Sequence, residues 1–273
     1  MRFIALDYSD LAIAAVLVLL NGALSVALRL GLERALLVAT LRMCVQLALM
    51  GVVLTALFRA VSPLWTALAA VVMVAVAGHE IMARQERRLA GLWAYGLGTT
   101  CMLAAASIVT VFALTTQIQP DPWYNPRYTL PLLGMILGNT MVGISLGLHT
   151  LTTGLVRERV AVESRLALGA TWREATLGII RAALKSALMP IINSMVVTGL
   201  VSLPGMMTGQ ILAGIDPEEA VKYQILIMFL IAGGTGLGAI TSVTAGALRL
   251  TDGRHRLRLD RLAPPKSADQ AKA

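Results

Sequence analysis

Seven stretches of this sequence each run for about 20 residues with scarcely a charge, the length that spans a bilayer as a helix. They lie at residues 11–30, 35–58, 64–83, 92–116, 128–151, 187–214 and 221–248. Inside lipid the backbone must satisfy its own hydrogen bonds. The pattern therefore predicts an all-α integral membrane protein with about seven transmembrane helices. Composition agrees: 57% of residues are hydrophobic and 14% charged, with a mean hydropathy of +0.75. Soluble domains average roughly 45–50% apolar and about 25% charged residues. The first run has no basic segment ahead of it and exceeds the roughly 7–15 apolar residues of a secretory signal, so it reads as a span. Cys44 and Cys101 both sit inside apolar runs, where they read as packing residues rather than as a disulfide framework.

Basic residues then orient the chain. Of its 23 Lys and Arg, 18 lie at Arg29 and Arg34, from Arg84 to Arg88, from Arg157 to Lys185, and from Arg249 to Lys272. Arg2, Arg59, Arg127 and Lys222 fall on the other side of the alternation, and Arg42 alone lies within a span. Positive loops face the cytoplasm, so the N-terminus is expected outside and the C-terminus inside. The net charge of +8 is then topological and implies no nucleic-acid partner. Residues 1–248 form the expected transmembrane domain. Residues 249–273 form a basic cytoplasmic tail, expected to be disordered and able to touch anionic membrane lipid.

The one long cytoplasmic insertion covers residues 152–186. It reads as two helices joined by a tight turn. Gly169 suits the left-handed position after a helix, and Thr171 with Glu174 has capping-box spacing. Trp172, Leu177, Ile180 and Leu184 give the second helix an apolar side. Such an insertion is either an interfacial helix or a docking element for a cytoplasmic partner.

Residues 199–220 pose a different problem. They read GLVSLPGMMTGQILAGIDPEEA, apolar enough for lipid yet holding Pro204, Gly205, Gly209 and Gly214. Pro204-Gly205 removes a donor and loosens the chain. Broken helices in transporters form sites and hinges, covered by protein or water. A hinge lining a pathway and a plain kink packed by Met206 and Met207 are both open readings. Thioethers suit soft metals better than iron. Asp216, Pro217 and Glu219 read as N-cap, first-turn proline and capping-box acid of the last span.

Other polar groups lie at membrane depth. Arg42 and Gln46 are four apart and share a helix face. An intramembrane charge points to function unless it snorkels to the interface. Asn139 and Asn193 on the fifth and sixth spans can line a pathway or bond between helices. His79 and Glu80 end the third span and His149 the fifth, all on the cytoplasmic side. They are candidate ligands for a cation such as divalent iron, or ordinary interfacial residues. No spacing suggests a nucleophile with its base, so no enzyme chemistry is expected.

The segment ESRLALGAT, Glu163 to Thr171, resembles the E-A-A-x-x-x-G loop of ABC-importer permeases. Ser164 and Arg165 stand in place of two alanines, and Pro190 lies farther downstream than in that pattern. The stretch from Thr198 to Ile225, GMILGNTMVG at 134–143, and Arg42 with Gln46 resemble the FetB-type (UPF0014) permeases. That family is linked to iron export and has plant relatives linked to aluminium tolerance. The resemblance covers nearly the whole chain. It implies a multi-pass inner (plasma) membrane permease that works as a homodimer with a separate ATPase subunit and exports a metal ion or metal complex. ATP and Mg would sit on that partner, since this chain has no G-x-x-x-x-G-K-[ST] loop. Glu163, Arg165, Leu168, Gly169, Ala170 and Thr171 would contact the ATPase. Arg42, Gln46, Asn139, Asn193, Pro204, Gly205, Met206 and Met207 would line the translocation pathway. An ATP-independent secondary transporter or channel is the alternative.

The orientation has a direct test. Green fluorescent protein fused at the C-terminus should fluoresce and alkaline phosphatase fused there should be inactive, whereas phosphatase inserted after Val61 should be active. The reverse pattern would invert the topology.

Overall fold

The computed structural model describes residues 7–252, 254 and 256–264. Its elements are helices α1 (Tyr8–Ala27), α2 (Glu33–Ala60), α3 (Pro63–Ala83), α4 (Trp93–Phe112), α5 (Pro126–Arg157), α6 (Arg159–Ala167), α7 (Trp172–Val197), α8 (Gly205–Leu212) and α9 (Pro217–Arg249). A π-helical turn, Ala113–Ile118, extends α4, and a single 3-10 turn, Leu259–Arg261, follows α9. Seven helices are long and apolar enough to cross a membrane, α6 and α8 being too short.

Helix α5 is the hub, with α9, α7, α3 and α4 packed around it. Lipid offers no hydrophobic gain for bringing helices together, so packing must come from close approach. Two glycines permit it. A Cβ on Gly238 of α9 would stand 2.5 Å from Thr140 Cγ2 of α5, and one on Gly143 of α5 would stand 2.7 Å from Thr235 Cγ2 of α9. Ile136, Ile144, Leu151 and Leu155 are fully buried around these contacts. By contrast α1 and α2 form a peripheral hairpin. Its turn is closed by Ser25, whose hydroxyl donates to Glu33 Oε2 and accepts from Leu32 N–H, both at 3.0 Å. Scarcely any of α1 or α2 is buried in the single chain.

Two expectations are corrected. The sixth span is α7, at Trp172–Val197 rather than 187–214. The second helix of the 152–186 insertion is thus the first half of that span, and α5 itself runs on to Arg157. Hydropathy counts Arg173, Glu174, Arg181 and Lys185 against a span, but helix continuity depends on caps and breakers. Thr171 closes a complete capping box with Glu174, and α7 then runs unbroken past Pro190. The helix is about 39 Å long, more than the roughly 30 Å hydrocarbon core, so its polar first turns can project beyond lipid. At the start of α9, Asp216 caps the Glu218 N–H at 2.9 Å, while Glu219 pairs with Lys222 at 2.7 Å instead of completing a capping box.

The tail is the second correction, since it folds back as far as Pro264. Ala90 N–H donates to Arg261 O and Ala263 N–H to Arg88 O, each at 2.8 Å, so the tail clasps the α3–α4 loop. Leu257, Leu259 and Leu262 pack on the core and Leu250 is fully buried. The Arg261 guanidinium donates to Arg249 O at 2.6 Å, and Arg249 lies 4.6 Å over the Trp93 ring. Arg258 donates two bonds to Asp260, at 2.9 and 2.8 Å, which hold that carboxyl down at about 2. A carboxyl with a depressed pKa contributes above its ordinary value near 4 and loses that contribution as pH falls toward about 2. The remainder of the tail, residues 265–273, lies outside the described residues, as do 253 and 255.

The α5–α9 contact predicts unequal effects of adding one methyl. Gly238→Ala should cost about 1–3 kcal/mol through overpacking. Gly233→Ala, where a Cβ meets nothing within 4 Å, should cost nothing. Thermal unfolding in detergent distinguishes the two.

Candidate functional site

The turn between α6 and α7 is built by local rules. Gly169 takes φ +93°. Its N–H bonds Leu166 O and the Ala170 N–H bonds Arg165 O, the two bonds of a Schellman ending. Thr171 then starts α7, its backbone N–H and hydroxyl both donating to Glu174 Oε2 at 2.8 Å. Val162, 1% exposed, anchors α6. Arg165 donates to Ala175 O at 3.3 Å, tying α6 to α7. Glu163 is held within α6 by Arg159 at 2.8 Å. The unusual feature is apolar exposure on a helix this charged, with Leu168 88% and Val160 76% exposed. Neither has a partner side chain to cover it, and the neighbouring Arg157, Glu158, Arg159, Glu163 and Arg165 suit water rather than hydrocarbon.

A second surface lies along α5. Met135, Asn139, Val142, Leu146, His149 and Thr153 recur at spacings of three and four and form one strip. Every member is exposed or half-buried, whereas most of the helix between residues 132 and 155 is buried. Asn139 is exposed and its Nδ2 donates only to Met135 O of its own helix, at 2.8 Å. His149 Nδ1 and Thr153 Oγ1 are buried atoms with no hydrogen-bond partner.

Arg42 and Glu80 form a hydrogen-bonded ion pair between α2 and α3, with Arg84 3.8 Å from the same carboxylate. Sequence reasoning placed both residues near the cytoplasmic end of their spans without pairing them. The usable signal was that consecutive spans run antiparallel, which brings opposite charges at equal depth within reach. Gln46 is exposed one turn along α2 and His79 is exposed on α3. Glu80 is thus engaged by arginines, and His79, Glu80 and His149 form no metal cluster. Among the described residues no three His, Cys, Asp or Glu side chains form a group that could hold a metal ion.

The remaining candidates lie at the other end of α7. Asn193 is exposed on its last turns. Residues 198–204 then break the chain, with Gly199 at φ +95°, and Pro204 opens α8. Met206 is exposed and Met207 half-buried. Gly214, at φ +92°, ends α8 with the same pair of bonds as Gly169: its N–H to Ile211 O, and Ile215 N–H to Gln210 O. Beside the break, α7 and α9 border an open recess of about 200 Å3 lined by Met195, Thr198, Gln224, Ile225, Met228 and Phe229. Gln224 is 6% exposed and its Oε1 accepts no hydrogen bond. Sequence reasoning passed over this residue because it lies one turn inside an otherwise apolar span.

Seven apolar helices, four of them (α3, α4, α7 and α9) packed around the fifth, the glycine-packed α5, define a multi-pass α-helical membrane protein. More closely, the chain belongs to the uncharacterised protein family UPF0014, whose profile matches residues 8–250. It is 36% identical over 225 residues to the UPF0014 membrane protein YjkA of Bacillus subtilis, covering 82% of this chain and 87% of that one. It is 36% identical over 231 residues to Protein ALUMINUM SENSITIVE 3 of Arabidopsis thaliana, covering 85% and 82%. It is 31% identical over 248 residues to the "Probable iron export permease protein FetB" of Escherichia coli, covering 91% and 93%. No solved structure matches the chain.

The ion pair can be measured by a double-mutant cycle. Arg42→Gln and Glu80→Gln should each destabilise the protein, and their effects should be non-additive by about 0.5–3 kcal/mol. Arg84→Gln, at the longer distance, should couple less. Thermal unfolding of the four cycle members reads the coupling.

Proposed function

We propose that this chain is the permease subunit of an ABC transporter, joined in two copies to two copies of a separate ATPase and exporting a metal ion or metal complex through the inner (plasma) membrane. The observation that carries this reading is apolar exposure along a charged helix, at Val160 in the first turn of α6 and at Leu168 just before Gly169. A surface helix in water has no reason to present two bare aliphatic side chains unless a protein covers them. The capping box fixes the turn to α7, so whatever binds the turn also holds a single helix about 39 Å long.

ATP and Mg belong to the partner in this scheme. ATP binding would draw the two docked turns together. Each α7 would carry that displacement across the bilayer to the break at residues 198–204, where Gly199 has positive φ and the short α8 follows. The tail clasp puts the α3–α4 loop and the described tail residues 256–264 on one side of the protein, and their arginines favour the cytoplasm. Iron as cargo rests on the FetB relative's name. The polar groups of α5 and the Arg42–Glu80 pair suit a cationic species without selecting one.

Docking is tested by co-purification from native membranes. Leu168→Asp should reduce recovery of a phosphate-loop ATPase by roughly tenfold or more, the scale of losing a buried anchor. Gly169→Val should do the same by straining the positive-φ position. Both variants should still insert in the membrane. Undiminished ATPase recovery with either variant, or a wild-type protein that purifies alone, would move the ATP-independent transporter into first place.

A further inference from the structure

We infer that the open strip of α5 centred on Gly138 and Asn139 is the surface on which two copies of this chain meet across a two-fold axis. The inference rests on the transporter reading for its purpose, but its evidence is separate.

The first observation is the distribution of amides. Exposed side chains on the outer faces of α4 and α9, such as Ile108, Val111, Phe112, Phe229, Leu237 and Ile240, are aliphatic or aromatic. Of the few exposed polar residues there, Thr100 and Thr241 return their hydroxyls to their own helix backbone, and Ser107 and Thr244 each present a single hydroxyl rather than an amide. Those faces suit acyl chains. Asn139 does not. One Nδ2 proton is used on Met135 O, which leaves the second proton and the carbonyl oxygen uncommitted at the middle of a 32-residue span. Facing lipid, those groups would go unsatisfied.

The second observation is room. Gly138 lies beside Asn139 on the same side of α5, and a Cβ placed there meets nothing within 4 Å. The glycines that pack α5 against α9 are tight, whereas this one is open. A small residue next to a polar one is what allows a second helix backbone to come close and bond.

The third is symmetry. A primary amide donates and accepts, so it is its own complement. Asn139 can bond to the partner copy's identical amide across a two-fold axis, which a carboxylate or ammonium cannot do. That is the requirement of a contact between identical patches. Val142 and Leu146, one and two turns toward the cytoplasmic end, would pack against their counterparts. His149 and Thr153, both half-buried, would lie at the cytoplasmic end of the seam. Lipid has no donor or acceptor to offer the exposed Asn139 amide, which is why a second copy with the same amide is the occupant favoured.

Cysteine cross-linking in native membranes decides the matter. The two natural cysteines are first replaced, Cys44→Ser and Cys101→Ser, in the full-length chain. Asn139→Cys and Leu146→Cys should then give a covalent dimer with copper-phenanthroline, while Leu237→Cys and Ile108→Cys should stay monomeric. In detergent, Asn139→Leu should weaken dimerisation by roughly three- to fifteen-fold, the range for one interhelical hydrogen bond in a membrane protein. Asn139→Gln, which keeps the amide, should retain most of the wild-type affinity. Absence of the dimer at 139 and 146, equal cross-linking at all four positions, or an Asn139→Leu protein that dimerises as well as wild type would each overturn the proposal. The cross-link does not require an ATPase, so failed docking with intact cross-linking sinks the transporter reading and leaves this one standing. ATPase recovery without cross-links does the opposite.

Discussion

Backbone hydrogen bonding in hydrocarbon governs this structure. Each span must close its own N–H and C=O groups, so every interruption has to sit at a helix end or be covered. The breakers in this chain obey that rule closely. Gly169 and Gly214 both sit just past a helix, and both complete the two bonds that absorb its last carbonyls. Pro204 stands just before α8, where its missing N–H costs no helical bond. The breaker-rich stretch is therefore a helix end, a turn and a short re-started helix. It is not a kinked span, and α7 remains one uninterrupted rod.

The rod has a consequence for coupling. Its first turn is capped by the Thr171–Glu174 pair and tied to α6 by Arg165, and its last turn meets the break. Through most of its length it lies against α5, and Gly147 brings the two helices within contact of Ala183 and Ala187. The one place where α7 lacks a ladder bond is Pro190, so a displacement at the turn that is not taken up by bending there is carried along the helix. It passes either to the break beyond Val197 or sideways into α5. The hub is thus placed to receive motion, and its one uncovered strip is where an adjoining surface would respond.

Much of the fold was legible in the sequence because hydropathy is local and additive. Seven runs gave seven spans, and Gly169, Thr171 and Asp216 sit at helix ends whose bonding partners lie within a few residues. What was missed depends on contacts distant in sequence. The tail looked like a solvated basic segment because its arginines dominate composition. Yet Leu257, Leu259 and Leu262 gave it an apolar edge, and the α3–α4 loop supplied backbone partners that no local pattern reveals. The sixth span was displaced because charge count was weighed above capping. The Arg42–Glu80 pair joins residues 38 apart and follows only once antiparallel spans are laid side by side.

The candidate site was less legible than the fold, for a related reason. Asn139, Asn193, Gln46 and Met206 were picked out as polar or soft groups at membrane depth, and all four are exposed on the single chain. Sequence can mark such residues as anomalous but cannot say whether a neighbouring helix covers them. Here no neighbouring helix does. Of the four only Asn139 lies on α5, where Ile136, Leu137 and Thr140 close to it are buried. An amide left bare on the hub helix calls for another surface to cover it. A bilayer penalises unsatisfied amides but provides no donor or acceptor to meet them, so that surface must be protein or an enclosed aqueous space. Two copies meeting along α5 would supply that surface as protein, with a bonded seam at Asn139.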